Sequence, residues 1–149
     1  MNGGDNRNMR ITVVNGPNLN MLGKRESGFY GTFTLAELEK QIQAHTLGRA
    51  EVVFYQSNHE GELITFLQKL GDGDRLILNA ASLTHTSIGI RDALNATKVP
   101  FVEVHISNVY AREEFRQKSY LSDIARGVIA GLGADGYLAA ADYFIRNQK

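Results

Sequence analysis

The sequence contains no cysteine, and this absence excludes disulfide bridges, thiol nucleophiles, thiolate zinc sites and iron–sulfur clusters. It also has no net charge, because 16 Lys and Arg residues balance 16 Asp and Glu residues. A protein that binds nucleic acid along the phosphate backbone needs a basic surface, so we expect no nucleic-acid partner. No apolar run approaches the roughly 18–20 residues that cross a bilayer, and the first residues lack the apolar core of a signal peptide. We therefore expect a soluble, cytoplasmic protein with no membrane partner.

The composition that remains is that of a globular protein, with 43% hydrophobic and 21% charged residues in a chain of 149. This length suits one domain, which can form a core without disulfides. Residues 1–9 are mostly polar and rich in glycine and asparagine. They predict a flexible N-terminal extension ahead of a single domain at 10–149.

From Arg10 onward, short β-branched runs alternate with longer helical patterns. The apolar runs predict five strands, at 11–14, 51–55, 75–79, 101–105 and 127–131. Helical spacing and capping residues predict four helices, which begin after Thr34, after Ser57, near Thr86 and at Ala134. Since strands that alternate with helices form parallel sheets, we expect an α/β fold: a flavodoxin-like, doubly wound, five-stranded parallel sheet with helices on both faces.

Ligands of doubly wound sheets bind beyond the carboxyl ends of the strands, which directs attention to the segments after Asn15, Asn79 and His105. The first of these, 15–31, has no helical or strand period, whereas such connections usually run about two to six residues. We interpret it as a mobile lid that carries Arg25 and Tyr30. A hairpin turn or a phosphate loop is the alternative, although no strand alternation follows and no Walker or dinucleotide pattern is present.

The second segment, 79–87, joins a strand to small and hydroxylated residues that allow a ligand to approach the backbone. Asn79 and His85 would supply a hydrogen-bond donor and acceptor there. In the alternative interpretation, Thr84 and Thr86 cap the next helix and His85 is a surface residue. The residues of this segment leave both interpretations open.

The third segment begins with Glu103 and His105, which lie two residues apart and therefore face the same side of a strand. The carboxylate would hydrogen-bond the imidazole and hold it protonated, as a general acid requires. The backbone N–H groups of Ile106 and Ser107, just past the strand end, would receive a carboxylate.

Two arginines follow in the same segment. Arg112 and Arg116 are four residues apart, and on a predicted helix they would share one face. In the alternative interpretation, this helix is solvated and Glu113 simply pairs with Arg116.

Other chemistries have weaker support. No second histidine follows His59-Glu60 at the spacing of a zinc protease, so no metal site is expected. The nucleophile motif of serine hydrolases is absent. Lys24 could form an imine with a ketone substrate, although a lysine in such a loop is more often solvated.

What remains is proton transfer on a small, anionic, hydroxylated molecule, with Tyr30 as a candidate base. Ionising a tyrosine of pKa ~10 at pH 7 costs ~4 kcal/mol. A nearby cation lowers such a pKa by about one to three units, which recovers ~1.4–4 kcal/mol. Arg25, Arg112 and Arg116 are the evident sources of that field, so we expect them to affect rate as well as binding.

Several blocks of the sequence resemble the type II 3-dehydroquinate dehydratases. The similarity extends in order and spacing from about Arg10 to Phe144. It is carried by Asn15-Gly16-Pro17-Asn18-Leu19-Asn20, Leu22-Gly23-Lys24-Arg25-Glu26, Tyr30-Gly31, Gln56-Ser57-Asn58-His59-Glu60-Gly61-Glu62-Leu63, Leu83-Thr84-His85-Thr86-Ser87 and Glu103-Val104-His105-Ile106-Ser107-Asn108.

The resemblance implies a catalytic domain that dehydrates 3-dehydroquinate to 3-dehydroshikimate by anti elimination through an enolate, without a cofactor or a Schiff base. It implies that Tyr30 is the base and that Arg25 lowers the tyrosine pKa. Asn18 would hold a water against the enolate, and His105, oriented by Glu103, would protonate the departing hydroxyl. The reaction belongs to the shikimate pathway or to quinate breakdown.

Substrate binding is implied in the same way. The family pattern assigns the ring hydroxyls to Asn79, His85 and Arg116, the substrate carboxylate to the N–H groups of Ile106 and Ser107, and the support of Tyr30 to Arg112. It also implies a homododecamer built from four trimers. In that assembly Asp92 would reach into the site of a neighbouring subunit.

The chain departs from the family pattern in two places. Ser27-Gly28 stands where the lid commonly has a proline, and Ala81 stands where the third strand is commonly followed by glycine. A lid without that proline has more conformations to lose on closing, so we expect altered closure or affinity rather than altered chemistry.

Two alternative functions fit the same predicted fold. The chain could be a non-catalytic flavodoxin-like module that binds a nucleotide or flavin at this sheet edge, or a structural assembly protein with an idle pocket. Neither alternative gives Tyr30 and Arg25 a role on a long lid.

Overall fold

The computed structural model describes residues 9–24 and 32–148. Residues 1–8 of the predicted extension lie outside the described residues, as do the lid residues 25–31 with Arg25, Tyr30 and Ser27-Gly28. Met9 belongs to the folded part, because its side chain packs against the core and its carbonyl accepts a hydrogen bond from Glu51 N at 2.9 Å.

Five strands form one parallel sheet in the order β2-β1-β3-β4-β5, which is the flavodoxin-like order. The predicted fold class is therefore confirmed. The strands are β1 (Arg10–Asn15), β2 (Glu51–Gln56), β3 (Arg75–Asn79), β4 (Phe101–His105) and β5 (Gly127–Ala130). The helices are α1 (Leu35–Thr46), α2 (Glu60–Leu67), α3 (Ile88–Thr97) and α4 (Asp135–Arg146).

Side-chain alternation along the central strands forms a core on each face of the sheet. Ile11 and Val13 face one side, where α1 and α4 cover the sheet with residues such as Ile42 and Phe144. Val14 faces the other side, where α2 and α3 pack against it. Since buried parallel strands need cover on both faces, the two helix layers account for the apolar runs in the strands.

Local capping signals decide where two of the helices begin. The Thr34–Glu37 capping box at α1 is confirmed, because Glu37 N donates to Thr34 Oγ1 at 3.1 Å and Thr34 N donates to Glu37 Oε1 at 2.8 Å. At α3 the cap is Ser87, whose Oγ accepts from Ile90 N at 2.9 Å. The alternative in which Thr84 and Thr86 cap this helix is therefore wrong.

The helix predicted to carry Arg112 and Arg116 is also wrong. Two 3₁₀ turns replace it, at Val109–Ala111 and Glu114–Arg116, and Arg112 lies between them in an extended conformation. Asn108 caps the first turn, since its Oδ1 accepts from Tyr110 N at 3.1 Å. The spacing of four residues therefore does not place the two arginines on one helical face.

Among the described residues, none of the helices is both long enough and apolar enough to cross a membrane.

Candidate active site

A pocket opens at the carboxyl ends of β1, β3 and β4, where the strand order reverses. This is the edge at which doubly wound sheets bind ligands. Eight of the twelve predicted site residues line it: Asn18, Asn79, His85, His105, Ile106, Ser107, Arg112 and Arg116.

A buried carboxylate–imidazole pair lies at the end of β4. Glu103 Oε2 and His105 Nε2 are 2.5 Å apart, and their side chains are only 2% and 6% exposed. The same-face geometry predicted from their spacing is confirmed. His105 lines the pocket and Glu103 lies behind it, so the carboxylate can orient the ring without contacting a ligand.

Two serines complete the surroundings of Glu103. Its second oxygen, Oε1, accepts hydrogen bonds from Ser119 Oγ at 3.1 Å and Ser122 Oγ at 2.7 Å. Burial alone would raise the pKa of Glu103, but the hydrogen bonds from His105 and the two serines hold that pKa below its ordinary value. Sequence reasoning missed both serines, because 16 and 19 residues separate them from the glutamate.

His85 lies in the pocket beside His105, with 6.1 Å between the ring centroids. Its Nδ1–H donates to the Lys118 carbonyl at 2.7 Å, which leaves Nε2 of the neutral ring as an acceptor. Burial lowers the pKa of His85, and the neighbouring His105 and Arg116 lower it further, against the opposing hydrogen bond to Lys118. A half-buried, neutral His85 suits the binding of a hydroxyl group and does not fit the surface alternative.

Asn79 belongs to a buried network that sequence reasoning did not identify. Its Nδ2 donates to the Tyr137 hydroxyl at 2.9 Å, and that hydroxyl donates to Asn15 Oδ1 at 2.5 Å. Asn79 Oδ1 accepts from Ala81 N at 3.1 Å. Burial raises the pKa of Tyr137 well above 10, so its hydroxyl remains a neutral bridge between the ends of β1 and β3.

Asn18 lies on the turn after β1 with a left-handed φ of +73°. Its backbone N–H donates to Asn58 Oδ1 at 2.9 Å, and Gln56 Nε2 donates to the same oxygen at 3.2 Å. Gln56 Nε2 also lies 3.2 Å from the Gly16 carbonyl. Gln56 at the end of β2 and Asn58 just after it therefore shape the turn that carries Asn18, a role that only the long-range contacts reveal.

The two arginines reach the pocket from different turns. Arg112 Nη1 donates to Ser107 Oγ at 3.3 Å, and its side chain is 10% exposed. Arg116 lines the pocket and also donates from Nε to Glu113 Oε1 at 2.7 Å, so the predicted Glu113–Arg116 pair is present although the predicted helix is not. Together they supply positive charge for an anionic ligand.

Two further candidate residues lie outside the pocket. Asp92 is exposed on α3 and does not line the pocket, and Lys24 is likewise exposed and outside it. Arg25 and Tyr30 lie outside the described residues. The described residues contain no group of three or more His, Asp or Glu side chains placed to hold a metal ion.

The fold and the pocket define a flavodoxin-like α/β protein with a polar pocket at the switch point of its sheet. Sequence comparison makes this assignment more specific. A sequence model of the class II dehydroquinases matches residues 9–145, and the chain belongs to that family.

Individual relatives agree with this assignment over nearly the whole chain. The chain is 54% identical to 3-dehydroquinate dehydratase of Bordetella pertussis over 142 residues, which cover 93% of this chain and 98% of that protein. It is 48% identical to the catabolic 3-dehydroquinase of Podospora anserina, with 94% and 96% covered. The crystal structure of type II dehydroquinase from Butyrivibrio crossotus superimposes with a TM-score of 0.86 at 42% identity, with 91% and 97% covered.

Proposed function

We propose that this chain is a hydro-lyase that dehydrates 3-dehydroquinate to 3-dehydroshikimate. The observation that carries the proposal is the buried Glu103–His105 pair, which opens onto the pocket of a chain that belongs to the class II dehydroquinase family. The relatives include a catabolic 3-dehydroquinase, so the same reaction serves either biosynthesis or quinate breakdown.

His105 is the general acid of the proposed reaction. After a proton leaves the carbon next to the substrate ketone, the electron pair forms an enolate. The enolate then expels the hydroxyl group, which takes a proton from the His105 imidazolium and departs as water. Glu103 holds the ring in place from behind, at 2.5 Å, and balances its positive charge.

The general base is supplied by the segment that the sequence predicts as a lid. We propose that Tyr30 removes the proton and that Arg25 lowers the tyrosine pKa, with Arg112 in support. The position of Arg112 in the pocket supports this part, because a cation near the site stabilises both a phenolate and the enolate. Asn18, on the turn after β1, would hold a water against the enolate oxygen.

Substrate recognition uses the rest of the pocket lining. Asn79, His85 and Arg116 would bind the ring hydroxyls, and the backbone N–H groups of Ile106 and Ser107 would take the carboxylate. The acceptor left on His85 Nε2 supports its part in this assignment. No step of the scheme requires a cofactor.

We also propose a cytoplasmic homododecamer of four trimers, in which Asp92 reaches the site of a neighbouring subunit. Asp92 is exposed on α3 and lies outside its own pocket, which leaves it available for such a contact. Light scattering after size exclusion measures the assembly directly. A monomer that turns over substrate at full rate would contradict the role of Asp92.

A Schiff-base mechanism on Lys24 is the chemical competitor. Lys24 is exposed and does not line the pocket, which favours the enolate route. Borohydride added with substrate should leave activity intact, and covalent trapping would overturn our proposal. A nucleotide- or flavin-binding module would instead be yellow or bind nucleotide without turnover.

The decisive experiment follows the conjugated enone product by ultraviolet absorbance. We expect Tyr30→Phe and His105→Ala to lower kcat by roughly 10²- to 10⁴-fold, the usual contribution of a general base or acid. Tyr55→Phe is the matched control, because it keeps the ring stacked on Phe66 at a centroid distance of 4.2 Å, away from the pocket. Unchanged rates in the first two variants would refute the mechanism, and no product from wild type would refute the function.

A further inference from the structure

The carboxylate of Glu103 is almost completely buried, and its two oxygens have different partners. Oε2 faces His105, while Oε1 accepts from both Ser119 and Ser122. A buried charge is costly unless hydrogen bonds replace the lost water, so the serine hydroxyls act directly on the charge state of this group.

We propose that Ser119 and Ser122 are positioning residues that keep Glu103 ionised and thereby keep the acid proton on His105. The proposal rests on the function given above and extends it to two residues that do not line the pocket. These serines form part of a short segment, residues 119–122, which we call the serine segment.

The hydrogen-bonding pattern fixes the direction of the Ser119 hydroxyl. Its oxygen accepts from the backbone N–H groups of Leu121 and Ser122, each at 3.0 Å. A serine hydroxyl has one proton and two lone pairs, so with both lone pairs used the proton must point to Glu103 Oε1. Ser119 is therefore held as a donor to the carboxylate.

The serine segment is itself fixed by neighbouring elements. Tyr120 N donates to the Thr84 carbonyl at 3.0 Å, and Leu121 is fully buried. Arg91 on α3 donates to the Tyr120 carbonyl at 2.8 Å and to Asp123 at 2.5 Å. The hydroxyls consequently have little freedom to leave Glu103.

The chemical consequence concerns where one proton resides. In a buried pair, an imidazolium and a carboxylate can relax to two neutral groups if the proton moves to the carboxylate. Donors on Oε1 stabilise the carboxylate and oppose this transfer, whereas a neutral imidazole could not act as the acid. The serine hydroxyls therefore favour the reactive form of the pair.

The other titratable and charged groups around the pair remain in place when a serine is replaced. His85 faces His105 from the turn after β3, and Arg112 and Arg116 line the same pocket from the turns after β4. Positive charge on the two arginines favours an ionised Glu103. A change caused by loss of a serine can thus be assigned to the missing hydroxyl.

The first test is Ser122→Ala, since among the described residues the Ser122 hydroxyl has Glu103 as its hydrogen-bond partner. We expect kcat to fall by roughly 10- to 100-fold, the effect of one hydrogen bond to a buried charge, with KM changed much less. The acid limb of the pH profile of kcat should move to higher pH, because Glu103 then takes up a proton more readily. Ser122→Thr, which retains the hydroxyl, should restore both.

Ser57→Ala is the matched control. Its hydroxyl donates to Glu62 Oε1 at 2.6 Å and accepts from His59 N at 2.9 Å, and neither partner lines the pocket. This variant therefore removes the same type of bond from a carboxylate outside the pocket. We expect kcat and the acid limb of this variant to match wild type. A shift as large as that of Ser122→Ala would mean that general destabilisation, rather than the state of Glu103, causes the effect.

A second measurement does not depend on turnover. The ¹³C resonance of the Glu103 carboxyl, identified by its absence in Glu103→Gln, should titrate at higher pH in Ser122→Ala than in wild type. An unchanged titration and an unchanged acid limb in folded Ser122→Ala would overturn the proposal, even if Ser119→Ala fails to fold. If wild type forms no enone, the proposed function fails, while the titration still decides the role of the serines.

Discussion

Ala81 has a backbone φ of +54°, in the left-handed region where a Cβ atom crowds the following carbonyl oxygen. The Asn79 side chain helps to hold this conformation by accepting the Ala81 N–H at 3.1 Å. Glycine, which has no Cβ, adopts this conformation without that crowding. Alanine at position 81, a departure from the resemblance described in the sequence, therefore strains the backbone beside the pocket.

We expect Ala81→Gly to raise the free energy of unfolding by about 1 kcal/mol, because it removes this strain. Urea denaturation measures the change. Ala80→Gly is the control, since Ala80 is buried with a φ of −77° and should lose stability instead. A loss of stability in both variants would contradict the strain at Ala81.

Tyr137 is the residue on which the Asn15–Asn79 network depends. Tyr137→Phe leaves two buried amides without their shared partner, so we expect a loss of about 1–3 kcal/mol in the free energy of unfolding. Because Asn79 also lines the pocket, KM should rise more than kcat falls. Tyr143→Phe, which removes a more exposed hydroxyl 3.4 Å from Arg126, should change neither quantity appreciably.

At the scale of elements, the turn after β1 packs directly against the residue after β3. A Cβ added to Gly16 would lie 2.5 Å from the Ala80 carbonyl oxygen, and Gly16 N donates to the Asn79 carbonyl at 2.8 Å. Only a residue without a side chain permits this approach. The two segments that carry Asn18 and Asn79 are therefore positioned by one glycine.

We expect Gly16→Ala to lower the free energy of unfolding by about 1–3 kcal/mol, because the backbone of Ala80 cannot move aside cheaply. Activity should fall as well, since both sides of the pocket shift. Gly61→Ala in α2 is the control, because no atom lies within 4 Å of the added Cβ and alanine favours a helix. Thermal unfolding compares the two, and equal melting temperatures for Gly16→Ala and wild type would refute the prediction.

Local signals predicted most elements of the fold. The five strands and the capping box of α1 could be identified because apolar runs and caps involve residues close in sequence. The segment around Arg112 was predicted wrongly, because a distance of four residues between two arginines does not reveal the contacts that favour 3₁₀ turns. The Glu103–His105 pair was predictable because alternation on a strand sets its geometry.

The partners that complete the site could not be predicted in this way. Ser119 and Ser122 reach Glu103 through a turn that has no apolar period. Tyr137 matches the core pattern of α4, and its contact with Asn15 joins residues 122 positions apart. Only the three-dimensional fold brings such residues together.

At the scale of the whole molecule, stability should depend on pH through Glu103. The native pKa of this carboxyl lies below its ordinary value of 4.5. The stabilisation is therefore present above pH 4.5 and is lost as the pH falls through the native pKa. Glu113 and Asp123 also have lowered pKa values, but these side chains are exposed and salt screens them.

We expect the urea midpoint of wild type to fall between pH 5 and pH 3 more steeply than that of Glu103→Gln, in a buffer of high ionic strength. The glutamine variant has no carboxyl to protonate at this position. If the urea midpoint fell equally steeply with pH in both proteins, the lowered pKa of Glu103 would be contradicted. A loss of fold in Glu103→Gln even at pH 7 would show a larger structural role for this residue.

The hydrogen bonds of Tyr137, which join α4 to the ends of β1 and β3, also affect folding during synthesis at the ribosome. Asn15 is translated 122 residues before its partner Tyr137. A nascent chain that lacks residues 135–146 can pair its central strands but cannot satisfy the amides beneath the pocket. Ligand recognition should consequently arise only after α4 has left the ribosome and packed on the sheet, which makes this helix a checkpoint for co-translational maturation.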